Sequence, residues 1–387
     1  MIYSYIKRFS LYFVAILVVF ANFFQPFTYL FVLISIWHLW KHSKYIMDIN
    51  IVFLFIFVIA YDLATNTGGV VGRTISALMP ISFFIIGKFL TRKIKGEHEI
   101  IGLLFSFIFI FNAIPLFSYL FNVINFGFDF SNLHLLGSDN DSIAFTNFCS
   151  YFSYNVSLFP VIYFKTRTNS DKLIKRSGIL FMLTAIIIIG SIGQRTGFAI
   201  LLVSLIVYVI TNMNKNFLRT IFISLCIGTF IFILLLLSFN WISETTLYER
   251  LFVSDADLGI IRTRSDIWEM AINEFMMNPS GNKEFTILDG GFYYAHNLWL
   301  DVGLRSGYVV LLFLIIVTVL YFSNLAEVYK KSACIENRMI FVFLSIAIFA
   351  TFMVEPIMQG YTHFFWSFAF IFGVMGGVRT FFGLKKL

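Results

Sequence analysis

The chain has 387 residues, 59% of them hydrophobic and 13% charged, with a mean hydropathy of +0.85. A soluble domain of this size could not keep that much apolar side chain from water, so the composition excludes a soluble enzyme or binding module and implies a polytopic membrane protein. The formal net charge is +7, but most of the excess sits in short segments between apolar stretches, as positive-inside topology requires, and no nucleic-acid partner is expected.

A membrane-crossing helix needs about 20 apolar residues. That template predicts an all-α fold of about twelve spans, at 9–24, 27–40, 46–62, 74–91, 99–124, 143–164, 177–193, 196–212, 220–240, 298–322, 339–356 and 362–383. The first run follows Lys7 and Arg8 without a small-residue cleavage site, and reads as an uncleaved helix rather than a signal peptide. A turn with a helix-stopping proline, Asn22-Phe23-Phe24-Gln25-Pro26, separates the first two spans. Only Gly193-Gln194-Arg195 separates the seventh from the eighth. The 51 phenylalanines read as lipid-facing bulk. Cys149 and Cys226 fall inside spans and Cys334 in an inner loop, so no external disulfide is expected.

Every second connection is basic: Lys41 and Lys44; Lys88, Arg92, Lys93 and Lys95; Lys165 to Arg176; Lys215 and Arg219; Lys330, Lys331 and Arg338. With Arg379, Lys385 and Lys386 at the end of the chain, this pattern puts both termini on the inner side. No linker or internal repeat divides residues 1–387, which read as a single integral membrane domain; a repeat would have favoured a transporter. Seven basic residues fall on the outer side, Arg73, Arg195, Arg250, Arg262, Arg264, Arg305 and Lys283. Six of the seven are arginine, whereas the inner set is mostly lysine. Guanidinium is planar, permanently charged and able to bind two phosphate oxygens at once, so the bias points to a phosphorylated ligand at the outer face.

The outer connections are short except for residues 241–297. Within this loop Ile267, Trp268, Ala271, Ile272, Phe275 and Met276 recur at helical spacing. Ser265 to Met277 is expected to be an amphipathic helix with Arg264 at its start, either lying on the membrane or capping the bundle. Asn278-Pro279-Ser280-Gly281 ends it.

Three constellations could carry chemistry. The first is Ser191-Ile192-Gly193-Gln194-Arg195-Thr196-Gly197. An arginine so close to hydrocarbon either faces a polar ligand near a helix N-terminus or snorkels to the headgroups. The second is Glu249-Arg250 followed by Arg262-Thr263-Arg264-Ser265-Asp266-Ile267-Trp268, which is either an anion site or a solvated salt-bridged loop. The third is His296-Asn297, followed by Asp301, Gly303, Arg305 and Gly307. An imidazole, with an ordinary pKa of about 6.5, suits proton abstraction at neutral pH, although a lone histidine at a helix start is more often structural. Asp62, Glu355 and His363 near outer helix ends are weaker candidates. Asp255-Ala256-Asp257 reads as solvated loop acids. No P-loop, dinucleotide fingerprint, zinc-ligand spacing or nucleophile elbow occurs.

Taken in order, the arginine after the seventh span, the Arg264-Ser-Asp-Ile-Trp268 helix start with its later Asn278-Pro279-Ser-Gly281, and Tyr294-Ala-His296-Asn297 with Gly303 and Gly307 resemble the O-antigen polymerase and O-antigen ligase superfamily of bacterial envelope glycosyltransferases. Outside about residues 191–310 the resemblance is one of hydropathy and helix count. The four-residue spacing of the two glycines is a mild departure from the family's pattern. The resemblance implies a GT-C-like helical fold in the bacterial inner membrane and an active site facing the periplasm. It implies inverting transfer that needs neither metal nor other cofactor. The donor and acceptor would be oligosaccharides on undecaprenyl pyrophosphate, with membrane lipid and a chain-length regulator protein as further candidate partners. It assigns pyrophosphate binding to Arg195, Arg264 and Arg250, and the base to His296. Arg262 joins the pyrophosphate set on charge and location alone, and Arg73, Arg305, Asp266, Asp301 and Glu355 are candidate supporting residues. Polymerase is favoured over ligase, which would use lipid A–core as acceptor. A lipid-linked oligosaccharide flippase is the reading from another class.

Overall fold

The computed structural model describes residues 2–21, 25–65, 70–127, 133–135, 142–143, 148, 150–161, 172–192, 195–211, 264–282, 294–332, 334–358 and 361–384. Their helices are α1 (Ile2–Ala21), α2 (Gln25–Lys41), α3 (Ser43–Ile46), α4 (Ile49–Thr65), α5 (Val70–Arg92), α6 (Glu97–Phe126), α7 (Ser153–Ser157), α8 (Lys172–Ile192), α9 (Arg195–Thr211), α10 (Arg264–Met277), α11 (Leu298–Lys331), α12 (Ile335–Phe352) and α13 (Thr362–Leu384). Among the described residues the one β-ladder is a two-residue antiparallel pairing of Leu133–His134 with Ser142–Ile143.

By length and composition, three of the described helices suffice to cross a membrane: Glu99–Phe126, Leu298–Lys331 and Ile335–Phe352. Ile49–Thr65, Gly178–Ile192 and Arg195–Thr211 are apolar but shorter. This is the helical, multi-pass membrane class that the hydropathy implied. The expected span at 220–240 lies outside the described residues. Of the one expected at 143–164, the described residues 148 and 150–161 form short helical stretches separated by turns at 151–152 and 158. Their backbone mixes i→i−3 bonds, Asn155 to Phe152, Leu158 to Asn155 and Val161 to Leu158, with the i→i−4 bond of Val156 to Phe152, and the Ser157 hydroxyl donates to the Tyr154 carbonyl. Short polar side chains here compete for the groups a continuous α-helix would use.

Contacts divide the chain into two compact units. One comprises Ile2–Phe111, Arg262–Phe341 and Phe352–Leu387, the other Asn112–Ile261 and Val342–Thr351. In the second unit α8 packs on α7, and the Tyr119 hydroxyl meets that of Ser191 at 3.0 Å.

The first unit is built on α5 and α13. Gly87 faces the Phe370 carbonyl, Gly373 the Phe84 carbonyl, and Gly377 the Thr91 hydroxyl, leaving no room for a side chain at any of the three. Small residues at such spacing let helix backbones approach closely, the usual basis of helix association in lipid. Phenylalanines fill the rest. Phe107 stacks on Phe370 with ring centroids 3.9 Å apart, Phe20 stacks on Phe83, and Phe83, Phe84, Phe107 and Phe111 are all buried. The reading of phenylalanine as lipid-facing bulk is therefore corrected for these residues: ring stacking rewards interior aromatics with geometry that lipid does not supply. Lys88, expected in a basic inner segment, is buried; its ammonium pairs with Asp48 and donates to the Ile46 carbonyl at 3.1 Å. A buried cation persists only with such partners. Helix α11 packs against α4, α10 and α13, and its first turns carry the candidate site.

Candidate functional site

The start of α11 folds the segment before it into a fixed turn. Asn297 is the N-cap, its side-chain oxygen accepting from the backbone N–H groups of Trp299 at 3.1 Å and Leu300 at 3.2 Å. Asp301, one turn into the helix, reaches back. One carboxylate oxygen accepts from Ala295 N–H at 2.7 Å and the other from Asn297 N–H at 3.2 Å. Asn and Asp at these positions satisfy donors that a helix start leaves open. The two bonds of Asp301 straddle His296, which takes φ of 53° and is the single non-glycine with positive φ among the described residues. Left-handed backbone is uncommon for a residue with a side chain and persists only where its surroundings hold it, and such positions cluster at functional sites.

Helix α10 supplies the second restraint. Its buried face, Ile267 and Ala271, forms a cluster with Ala295 and Leu304, flanked by Trp268, Met270, Phe275 and Leu300. Fully burying one such aliphatic chain contributes roughly 1.5–3 kcal/mol. The indole N–H of Trp268 donates to the Ala295 carbonyl at 2.9 Å. This packing seats α10 on the first turns of α11. Its opposite face still exposes Ile272, Met276 and Met277.

Residues 278–281 then dock into a break in α11. Gly307 has φ of 80° and interrupts the helix, and Gly281 has φ of 91°. The Tyr308 N–H donates to the Pro279 carbonyl at 3.0 Å and the Asn282 N–H to the Leu304 carbonyl at 2.6 Å. A Cβ at Gly281 would stand 2.7 Å from the Gly307 nitrogen, and one at Gly307 would stand 2.6 Å from the Ser280 carbonyl carbon. Gly303 lies under the Phe275 ring. The Asn-Pro-Ser-Gly motif and the two downstream glycines are thus halves of one clasp, which ties the end of α10 to the third turn of α11. Their value is steric, and the four-residue glycine spacing fits it.

The structure brings several of the sequence candidates together. His296, Asp301 and Arg305 share the 294–305 segment, and the Arg305 guanidinium lies 4.8 Å from the centroid of the Tyr294 ring. Arg305, Asp301 and Tyr294 are all within electrostatic range of the buried Tyr61 phenol on α4. The Asn297 amide approaches the Met353 sulfur at 3.5 Å. Two residues beyond Met353, Glu355 is buried in the turn between α12 and α13. Asp266 is exposed in the first turn of α10. Arg264 is the first residue of that helix, but its side chain, like that of Arg73 in α5, is outside what the structure describes. Arg250 and Arg262 also lie outside the described residues. Arg195 is exposed as the first residue of α9, a helix start, which in general favours an anion, and it belongs to the second compact unit. Sequence reasoning missed Tyr61, whose only signal was a phenol beside Asp62 at the end of an expected span. It also missed the Trp268–Ala295 bond, which no spacing rule reveals.

Residues 179–315 match a family model, Wzy_C, described as O-Antigen ligase. The match supports the O-antigen polymerase and ligase superfamily. It covers about a third of the chain and contains Arg195, α10, the Asn-Pro-Ser-Gly clasp, His296 and the first half of α11. A comparison with curated proteins finds no match. Members of this superfamily are membrane glycosyltransferase-like enzymes. Within the first unit, the matched range contains the residues that build and brace the His296 turn.

Proposed function

We propose that the chain is an O-antigen, or surface polysaccharide, polymerase. It joins repeat units carried on undecaprenyl pyrophosphate at the periplasmic face of the bacterial inner membrane, within a bundle of about twelve spans. The observation that supports this reading is the geometry of His296: a left-handed residue clamped by Asp301 on both sides, with the indole of Trp268 bonded to the residue before it. Holding a general base in one orientation against its own backbone preference is what proton abstraction from a bound hydroxyl asks of a protein.

In the proposed reaction an acceptor sugar hydroxyl attacks the anomeric carbon of the donor. The new glycosidic C–O bond forms as the anomeric carbon–pyrophosphate bond breaks, inverting the centre. His296 takes the hydroxyl proton, an effect typically worth about 10²–10⁴-fold in rate. The bonding electron pair leaves with undecaprenyl pyrophosphate, whose charge Arg195, Arg264, Arg250 and Arg262 stabilise without a metal. Arg305, Arg73, Asp266, Asp301 and Glu355 have supporting roles, of which that of Asp301 is positional. Alanine at Arg264 or His296 is expected to abolish chain extension at unchanged protein abundance. Near-normal glycan ladders from either variant would contradict the assignment.

The ligase reading is favoured by one observation, the description of the matching family. Surface lipopolysaccharide from a deletion strain separates the two. Core carrying a single repeat indicates a lost polymerase, and bare core a lost ligase.

A further inference from the structure

Far from His296 in sequence, α1, α2 and the end of α5 bring together cations that have little to neutralise them among the described residues. His38, buried on α2, stacks on Phe89 of α5 with centroids 3.9 Å apart and meets the Tyr12 hydroxyl of α1 at 2.9 Å. Around this aromatic floor stand Arg8, Lys41, Arg92 and Lys93. The Lys93 ammonium lies 4.8 Å from the Phe89 ring centroid and 5.3 Å from that of Tyr12, and the Lys41 ammonium 4.8 Å from that of Trp37. Arg8 donates to the Lys93 carbonyl at 2.5 Å and pairs with Glu99 at 3.5 Å. Among the described residues, Lys41, Arg92 and Lys93 form no ion pair.

His42 sharpens the chemistry. Arg92 donates to its Nδ1, so the ring's proton is on Nε2, which is a donor. Burial, with Arg92, Lys41 and Lys93 nearby, holds this imidazole below its usual range and therefore neutral at neutral pH. The cluster thus offers two ammonium groups, a guanidinium and an imidazole N–H, with one carboxylate at its edge. Cations at helix C-termini answer the helix dipole, and inner loops are basic for topological reasons. Neither explains why three of them share an aromatic floor without a counter-ion among the described residues. The exposed apolar side chains of α2 (Leu33, Ile36, Trp37 and Trp40) run up to the same place. Tryptophans at the end of an apolar stripe, followed by cations, mark headgroup depth in a bilayer.

We propose that this cluster binds the phosphate headgroup of an anionic glycerophospholipid, whose acyl chains lie along the exposed face of α2. The apolar stripe favours a lipid over a free phosphate, since an inorganic anion would have no use for it. The site is independent of the transferase reading and of its residues.

Native mass spectrometry of the full chain, purified in detergent and incubated with phosphatidylglycerol or phosphatidylcholine, tests the proposal. Phosphatidylglycerol is expected to be retained in preference, and Arg92→Gln with Lys93→Gln to cut that retention at least tenfold, from about fivefold per cation near a membrane surface. Lys41→Gln, which touches only the Trp37 ring, is expected to give about fivefold and serves if the double variant fails to fold. Equal retention of phosphatidylcholine, or full retention of phosphatidylglycerol by Lys41→Gln, would overturn the site. Displacement of phosphatidylglycerol by inorganic phosphate alone would overturn the commitment to lipid.

Discussion

The indole nitrogen of Trp268 and the carbonyl oxygen of Ala295 meet at 2.9 Å across 27 residues of chain. This bond joins the helix that begins at Arg264 to the turn that carries His296. Trp268→Phe keeps an aromatic ring against the Ile267 and Ala271 cluster, with some loss of ring volume, and removes the donor. It is expected to destabilise the protein by about 1 kcal/mol and to reduce chain extension well beyond any loss of abundance. Trp268→Ala also leaves a cavity and should cost about 3–5 kcal/mol. Glycan ladders, normalised to membrane abundance on immunoblots, check both.

Asp301 accepts one N–H with each carboxylate oxygen. In Asp301→Asn one of those oxygens becomes an amide that faces a backbone donor, so a buried N–H loses its acceptor. The expected loss is about 1–3 kcal/mol of stability, with chain extension falling further because His296 is no longer held. A thermal melt in detergent and an extension assay on the same preparation separate the two effects.

Gly281 and Gly307 combine positive φ with backbone contacts that leave no room for a methyl group. Gly307→Ala is expected to prevent accumulation of folded protein. Gly127 provides the control, since it has φ of 69° but nothing within 4 Å of an added Cβ. Gly127→Ala should cost only the backbone penalty, roughly 1 kcal/mol. Abundance and monodispersity after purification decide whether the clasp, rather than glycine content as such, matters.

Cys334, in the connection between α11 and α12, donates to Glu336 at 2.9 Å. Burial first, and then that carboxylate, push its thiol up to about 11. The thiolate is the reactive form, so at pH 8 its fraction should be roughly a hundredfold below that of an ordinary thiol. In a Cys149→Ser, Cys226→Ser background, alkylation by iodoacetamide should be slow at pH 8 and accelerate as pH rises toward 11. Rapid labelling at pH 8 would show the thiol to be unburied.

Apolar runs and charge alternation announced the helical membrane class because both are carried by the local sequence. Helix α10 was equally legible from the spacing of Ile267, Ala271 and Phe275. The order of the arginine, Asn-Pro-Ser-Gly and His-Asn motifs pointed to the superfamily. What they do physically was not legible. That Gly307 faces Ser280, or that Asp301 bonds on both sides of His296, depends on long-range packing and on backbone angles no residue type announces. Within the sixth expected span, the turns at 151–152 and 158 were not legible either, because apolar content alone does not report local backbone bonding. Phenylalanine looked the same in either setting, and only the fold distinguishes a stacked interior ring from one facing lipid.

The most direct measurement uses His296→Asn, because asparagine tolerates left-handed backbone and so removes the imidazole while sparing the turn. The full chain and this variant, reconstituted with repeat units on undecaprenyl pyrophosphate, are compared for the rate at which glycan lengthens. A general base at this position predicts a fall of about 10²–10⁴-fold with the variant's melting behaviour unchanged. Lengthening at the unsubstituted rate would contradict the assignment of His296 and the mechanism built on it.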